Sequence, residues 1–268
     1  MSVSSGRDPR SSTSPSTHDR LIGEQFTRQA ELFANALELH SDAQLALIVD
    51  AAAPKPSDVM LDVACGPGTV VGAFAGRVRS AIGLDATDAM LEQARALAAT
   101  RGLANVEWRT GSVYRLPFGD GSFNVVTCRF AFHHFTDPAA ALAEMVRVCR
   151  SGGRIVVCDG VCSPDPAKAA TFNAMERHRD PSTASFLTFS TLMEIFARAG
   201  VPHPRTAAFQ VRYDRDTLIA HSFPADDDRD GVRRMIDELI ATDAMDVGSV
   251  AGETTFTYPT VVLTAVKT

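Results

Sequence analysis

The chain reads as an α/β protein built on a doubly wound, mostly parallel sheet with helices on both faces. Three observations predict this. Short apolar runs alternate with helical runs between residues 59 and 160. The first apolar run leads through Gly66-Pro67-Gly68 into a helical pattern, the strand–turn–helix order of a nucleotide-type fold. The helical patterns between the runs carry caps and stops of their own.

In order, residues 59–64 (VMLDVA) form a buried strand and residues 69–77 a short helix. Residues 81–84 are a second strand, followed by a helix over Asp88–Thr100. Thr87 stands at its cap, Met90, Leu91, Ala94, Leu97 and Ala98 share one face, and Gly102 follows its end. Residues 106–109 and Phe123–Arg129 are the third and fourth strands. A helix over residues 138–150, with Leu142, Met145, Val146 and Cys149 on one stripe, is closed by Ser151-Gly152-Gly153 before a fifth strand at residues 154–159. Downstream, residues 163–177 and 191–199 read as helices. The alternation in Ala207, Phe209, Val211 and Tyr213 marks a strand, as do residues 257–266. Val232, Met235, Ile236, Leu239 and Ile240 form an amphipathic helix, expected first to cover the edge strands, with capping the pocket or joining a dimer as alternatives.

Residues 1–19 are Ser, Thr, Pro and Arg with little that is apolar, and read as a disordered tail. Helical periodicity from Phe26 through Ala30, Phe33 and Leu37 to Leu45 and Ile48 stops at Pro54 and Pro56. The expected organisation is a tail (1–19) and one domain (20–268). That domain has a helical lid at 20–58, a cofactor-binding half at 59–160 and a substrate-side half at 161–268.

Composition excludes several roles. The formal charge is -6, with 26 basic against 32 acidic side chains, and Asp226-Asp227-Asp228 would repel phosphate, so no nucleic-acid partner is expected. No apolar run approaches the ~20 residues of a membrane span, and the first residues lack a signal-peptide core. Five cysteines without metal-ligand spacing point to a reducing compartment, hence a cytoplasmic protein with no metal. Cys158 and Cys162, four apart, lack the further thiols that a metal or arsenic site would need.

The glycine turn narrows the ligand. Gly66 and Gly68 let the backbone approach a ligand closely. A dinucleotide fingerprint would place glycine at position 71, where Val71 stands, and Asp62 puts a carboxylate inside the strand, so a nicotinamide oxidoreductase is disfavoured. Asp85, 17 residues beyond Gly68 at the end of the second strand, suits a carboxylate gripping ribose hydroxyls.

The segments LDVACGPG, GLDATDAMLEQAR, LPFGDGSFNVV, FHHFTDP and EMVRVCRSGGRIVV resemble the class I S-adenosylmethionine-dependent methyltransferases. Within them the chain is most similar to the branch typified by ubiquinone/menaquinone-biosynthesis methyltransferases. The resemblance runs over residues 25–161 and, more weakly, to the C-terminus. It implies a Rossmann-like, seven-stranded sheet with an antiparallel C-terminal edge, and S-adenosyl-L-methionine as cofactor. It implies that Asp62, Ala64, Gly66 and Gly68 border the methionine part, that Asp85 holds the ribose, and that Ala86 and Met90 flank the adenine. Ser112, followed by Val113, stands where the family has an Asp that accepts from the adenine amino group; a hydroxyl can accept the same bond without charge. Asn124 replaces another family acid and is expected to serve the strand edge. Arg129 occupies a position that steadies the cofactor carboxylate or the nearby loop.

Methyl transfer from a sulfonium needs alignment, exclusion of water and, for a protonated acceptor, removal of a proton. Ligands lie beyond the carboxyl ends of such strands, which places Phe130, His133 and His134 near the reaction face; either histidine is a candidate base, His133 ahead of His134, the alternative being that one caps or packs against the helix start at Thr136-Asp137-Pro138. Arg179-Asp180-Pro181-Ser182 resembles a family stretch that introduces the acceptor-facing segment, with Thr183 where the family has His; alternatively it is an Asp-Pro turn. The expected activity is methylation of an oxygen, nitrogen or carbon atom of a small, apolar or aromatic molecule. The alternatives are a fold relative with other chemistry and a catalytically idle cofactor-binding protein.

Overall fold

The computed structural model describes residues 17–35, 41–241, 247–250 and 253–268. Residues 1–16 of the expected tail lie outside the described residues; residues 17–19, also assigned to it, open the first helix. The elements are α1 (Thr17–Asn35), α2 (Asp42–Ala52), β1 (Val59–Val63), α3 (Thr69–Ala75), β2 (Ser80–Asp85), α4 (Asp88–Thr100), β3 (Val106–Thr110), β4 (Phe123–Arg129), α5 (Pro138–Val148) and β5 (Cys149–Cys162). They continue with α6 (Pro166–Arg179), β6 (Leu187–Thr188), α7 (Phe189–Arg198), β7 (Arg205–Asp214), α8 (Arg215–Ala220), α9 (Arg229–Ala241), β8 (Val247–Val250) and β9 (Glu253–Val266).

The main sheet has the order β3-β2-β1-β4-β5-β9-β7, with short β6 and β8 paired to β5 and β9. β3 through β5 are mutually parallel. β9 pairs antiparallel with both β5 and β7, so it lies between them and β7 forms the edge. The expected antiparallel pair is present, but its second member is interior: Val262 and Leu263 are buried, and the strand is apolar on both faces.

Alternation sends neighbouring side chains to opposite layers. In β1, Leu61 joins Val126, Leu142, Met145 and Phe196 on the α5–α7 face, whereas Met60 joins Ile48, Phe74, Leu91 and Val125 on the α2–α4 face. α4 buries Met90, Leu91, Ala94 and Ala98, and its chain leaves through Gly102 at φ +63°. Thr87 occupies the N-cap position, but its side chain makes no cap hydrogen bond. α5 is capped by Asp137, which accepts from Ala140 N at 2.9 Å, with Pro138 in the first turn. The predicted stripe of α9 buries Val232, Ile236 and Leu239 in an aromatic cluster with Phe172, Phe186, Phe256 and Tyr258. Asn124 Oδ1 accepts from Val59 N at 2.9 Å, the strand-edge role its sequence position suggests. Among the described residues no helix is long and apolar enough to cross a membrane.

Candidate active site

Because β1, β2 and β4 run parallel, their carboxyl ends and following turns meet on one side of the sheet. There they border a cavity of about 530 Å³ that α1 flanks through Ile22 and Phe26. Two non-glycine residues at these strand ends adopt left-handed backbone, Ala64 (φ 54°) after β1 and Phe130 (φ 52°) after β4. Such positions cost roughly 1–3 kcal/mol each and persist where surrounding contacts over-determine them. Phe130 N donates to Cys158 O at 2.8 Å, one such contact.

Of the residues expected to contact the cofactor, Asp62, Ala64, Gly66, Asp85, Ala86, Met90, Ser112, Val113 and Arg129 line this cavity. Gly68 does not. It sits at φ +80° against the Trp108 ring, where a Cβ would lie 2.5 Å from Trp108 Cζ's neighbour Cη2. Its glycine is required by the turn and by packing on Trp108, which also leaves no room for a side chain at Gly83.

Two buried carboxylates dominate the electrostatics. Asp62 is 1% exposed, and burial pushes its carboxyl up to about 7, against the hydrogen bond from Thr127 Oγ1 (2.5 Å) and the charge of Arg129. Asp85 accepts from Gly66 N and Thr87 N, each at 2.9 Å, yet burial still raises its pKa above the usual carboxylate range. Neither carboxylate joins an ion pair among the described residues. A cationic ligand with hydroxyl donors would answer both. The Arg129 guanidinium, itself lining the cavity, lies 4.2 Å from the Phe130 ring centroid and donates to Gln44 Oε1 at 3.2 Å. Ser112 Oγ accepts weakly from Tyr114 N at 3.3 Å.

The adjacent histidines face different surroundings. They share a 3₁₀ turn, Phe132–His134, in which successive side chains diverge by about 120°. His134 lines the cavity, with its ring 4.9 Å from that of Phe26 at 74°. His133 is absent from the lining. Its Nδ1 pairs with Asp159 Oδ1 at 2.7 Å, its backbone N donates to Asp159 Oδ2 at 2.9 Å, and its ring stacks on Phe186. Its carbonyl accepts from Ala184 N and Ser185 N, so His133 anchors the 180–186 segment to the sheet. All five cysteines are buried and free; Cys65 lines the cavity, where burial pushes its thiol pKa well up. No cluster of potential metal ligands occurs among the described residues.

Sequence reasoning missed Phe26 and Tyr114 as cavity walls, and missed the contact of Ser182, itself bonded to Asp180, with His134. The Asp-Pro-Ser stretch was a visible signal for a turn, and Ser182 N indeed donates to Asp180 Oδ1 at 2.9 Å. Nothing local tells which side chain that turn meets across 48 residues.

Comparison with known proteins agrees with this geometry. The family described as "Methyltransferase domain" matches residues 61–157. The chain is 33% identical over 172 residues to the uncharacterized methyltransferase YcgJ of Bacillus subtilis, covering 64% of this chain and 68% of that protein. It is 36% identical over 129 residues to the ubiquinone/menaquinone biosynthesis C-methyltransferase UbiE of Roseobacter denitrificans, covering 47% of this chain and 52% of that enzyme. The crystal structure of YcgJ superposes with a TM-score of 0.76 at 28% identity, over 85% of this chain and 99% of YcgJ. With the strand order, the glycine turn and the paired carboxylates at the ends of β1 and β2, these likenesses identify the chain as a member of the class I S-adenosylmethionine-dependent methyltransferases.

Proposed function

We propose that the cavity binds S-adenosyl-L-methionine and that the chain methylates a small, apolar or aromatic molecule at an oxygen, nitrogen or carbon atom. The observation that carries this reading is the mixed lining of one cavity. Its lining combines the carboxylates Asp62 and Asp85 and the Gly66 turn with the aromatic side chains Phe26, Phe130 and Phe135 and with His134.

The cofactor's ammonium and sulfonium charges match the uncompensated Asp62 and Asp85, and its ribose hydroxyls match the remaining lone pairs of Asp85. In this reading Asp62, Ala64 and the Gly66 backbone border the methionine part and Arg129 its carboxylate. Gly68 sets the turn from behind. Ala86 and Met90 flank the adenine, and Ser112 and Val113 lie at its edge. When bound, the cofactor supplies an electrophilic methyl group on an excellent leaving group. The protein's task is then to align the acceptor, exclude water and accept a proton where the acceptor carries one. α1 serves the second task by flanking the cavity through Ile22 and Phe26. His134, on the cavity wall, is better placed than His133 for the third. The acidic surface favours a small-molecule acceptor over nucleic acid, and the five free cysteines suit the cytoplasm.

Calorimetry with S-adenosyl-L-methionine, its demethylated product and NAD tests this reading. Both adenosyl ligands bind and NAD does not; no adenosyl-ligand binding overturns it. Asp85→Ala weakens cofactor binding at least about tenfold, ~1.4 kcal/mol. Unchanged affinity means that the pocket is elsewhere.

A further inference from the structure

The acceptor side of the cavity contains an unusual polar arrangement. His134 Nδ1 lies 3.1 Å from both the carbonyl oxygen and Oγ of Ser182. A carbonyl oxygen only accepts, so Nδ1 carries a proton. Ser182 Oγ in turn donates to Asp180 Oδ1 at 2.6 Å, which leaves its lone pairs for the imidazole. Asp180 Oδ2 accepts from Gln29 Nε2 of α1 at 3.3 Å, and Ser182 is fully buried. The chain Asp180–Ser182–His134 therefore has a single direction of donation, from the ring towards the carboxylate. Nε2, the ring's other nitrogen, has no protein partner among the described residues.

We propose that Asp180 and Ser182 are positioning residues that hold His134 as the neutral Nδ1–H tautomer, presenting the Nε2 lone pair to the cavity as the acceptor of a hydrogen bond from a substrate hydroxyl. The substrate class is an apolar or aromatic alcohol or phenol. This inference rests on the methyl-transfer reading above and deepens it.

Three observations carry it. First, the tautomer is set by the partner of Nδ1, the general way in which proteins choose between the two forms. Second, Phe26 stands edge-on to the ring, and Phe130 and Phe135 are among the residues that line the same cavity. The nearby Tyr114 hydroxyl is engaged by Thr136 N at 2.9 Å and lies 3.2 Å from Thr136 Oγ1. One polar acceptor beside aromatic side chains selects an apolar ligand with one donor group. Third, the ring stays neutral. Burial and the neighbouring His133 lower its pKa to about 4, against the opposing charges of Asp180 and Asp159 and the hydrogen bond with Ser182; His18 Nε2 lies 2.8 Å from the His134 carbonyl oxygen. A carboxylate touching Nδ1 directly would favour the imidazolium. The interposed hydroxyl orients the ring while keeping that charge one group away.

The test uses the full chain labelled with nitrogen-15 histidine, and long-range nitrogen–proton correlation spectra between about pH 5.5 and 8.5. The His134 ring is assigned by its absence from the His134→Gln spectrum. It is expected as pure neutral Nδ1–H tautomer throughout. An Nε2–H tautomer, or a ring titrating within that range, overturns the proposal from the wild-type spectrum alone. Ser182→Ala keeps the carbonyl acceptor, so the Nδ1–H tautomer stays, but it removes the hydroxyl that links the ring to Asp180, so the Nδ1 resonance shifts and Ser182→Thr restores it; an Nδ1 resonance indifferent to Ser182→Ala in a chain that still melts cooperatively overturns the positioning role. With the cofactor present, 2-naphthol shifts the Nε2 resonance and 2-methoxynaphthalene does not; equal shifts, or none, overturn the hydroxyl class. Calorimetry on the same samples separates the two readings. Intact cofactor binding with the wrong tautomer sinks only this inference, whereas no binding sinks the methyl-transfer reading.

Discussion

Two sets of buried acid, Asp62 with Asp85 and Glu176 with its partners, are handled in opposite ways. At the carboxyl ends of β1 and β2, Asp62 and Asp85 are held by a hydroxyl and two backbone amides, with no ion pair among the described residues, and burial raises both pKa values. Between α6 and β9, Glu176 accepts from Arg179 Nε at 3.0 Å and from Tyr258 OH at 2.7 Å. Burial there acts on Arg179 too, but the Glu176 carboxylate and its neighbours outweigh it and hold the guanidinium above its ordinary pKa. One is paired within the chain; the other lines a cavity. Buried charge satisfied within the chain fixes structure, and buried charge left unsatisfied beside a cavity marks where something must bind.

The largest effect that follows is on the paired set. Glu176→Ala strands the Arg179 guanidinium and the Tyr258 hydroxyl, and destabilises the fold by about 3 kcal/mol. A chemical-denaturation midpoint unchanged from the parent would break the contrast. The cavity set responds to pH instead. Asp62 has a raised pKa of about 7 in the ligand-free protein, so binding a cationic group expels its proton. Cofactor affinity therefore rises with pH and is about tenfold lower at pH 6 than at pH 8, measured by calorimetry in matched buffers. Stability of the ligand-free chain moves the other way. A group whose folded pKa lies above its unfolded value favours the fold at low pH, and this contribution is lost as pH rises from the ordinary carboxylate value of 3.8 towards about 7. Affinity flat across that range would mean that Asp62 does not face the cation. The smallest effect is at His133. His133→Gln removes the ring from Asp159, which keeps its bonds from His133 N and Gly160 N, so stability falls by about 1 kcal/mol with cofactor affinity unchanged. A loss of affinity without loss of stability would return His133 to the binding site.

The same contrast explains what could be read before the fold was known. The cofactor wall is made of short, contiguous segments: VMLDVA ends at Asp62 and Ala64, the glycine turn follows, and Asp85 closes the next strand. Strand periodicity and turn chemistry place these residues on one rim without long-range information. Gly68 marks the limit of that reasoning. Its spacing suggested a ligand contact, but the space beside it is filled by Trp108 from a strand two positions away in the sheet. The other part of the lining draws on α1 and the turn after β4, with the 180–186 segment bonded to His133 and His134 from behind, and these are far apart in the chain. The apolar pattern of β9 likewise predicted a strand, but not its place between β5 and β7.

By itself, the sequence determined the α/β class, the cofactor rim and the chemistry available to it, because helix and strand periods, caps and glycine turns act over a few residues. Only the tertiary structure decided that His134 faces the cavity while His133 anchors a loop, and that Ser182 and Asp180 orient the ring. Neighbouring residues on a 3₁₀ turn point in different directions, and which direction is inward depends on packing against α1 and the 180–186 segment. The sequence could name two histidines; long-range contacts decided which of them lines the cavity.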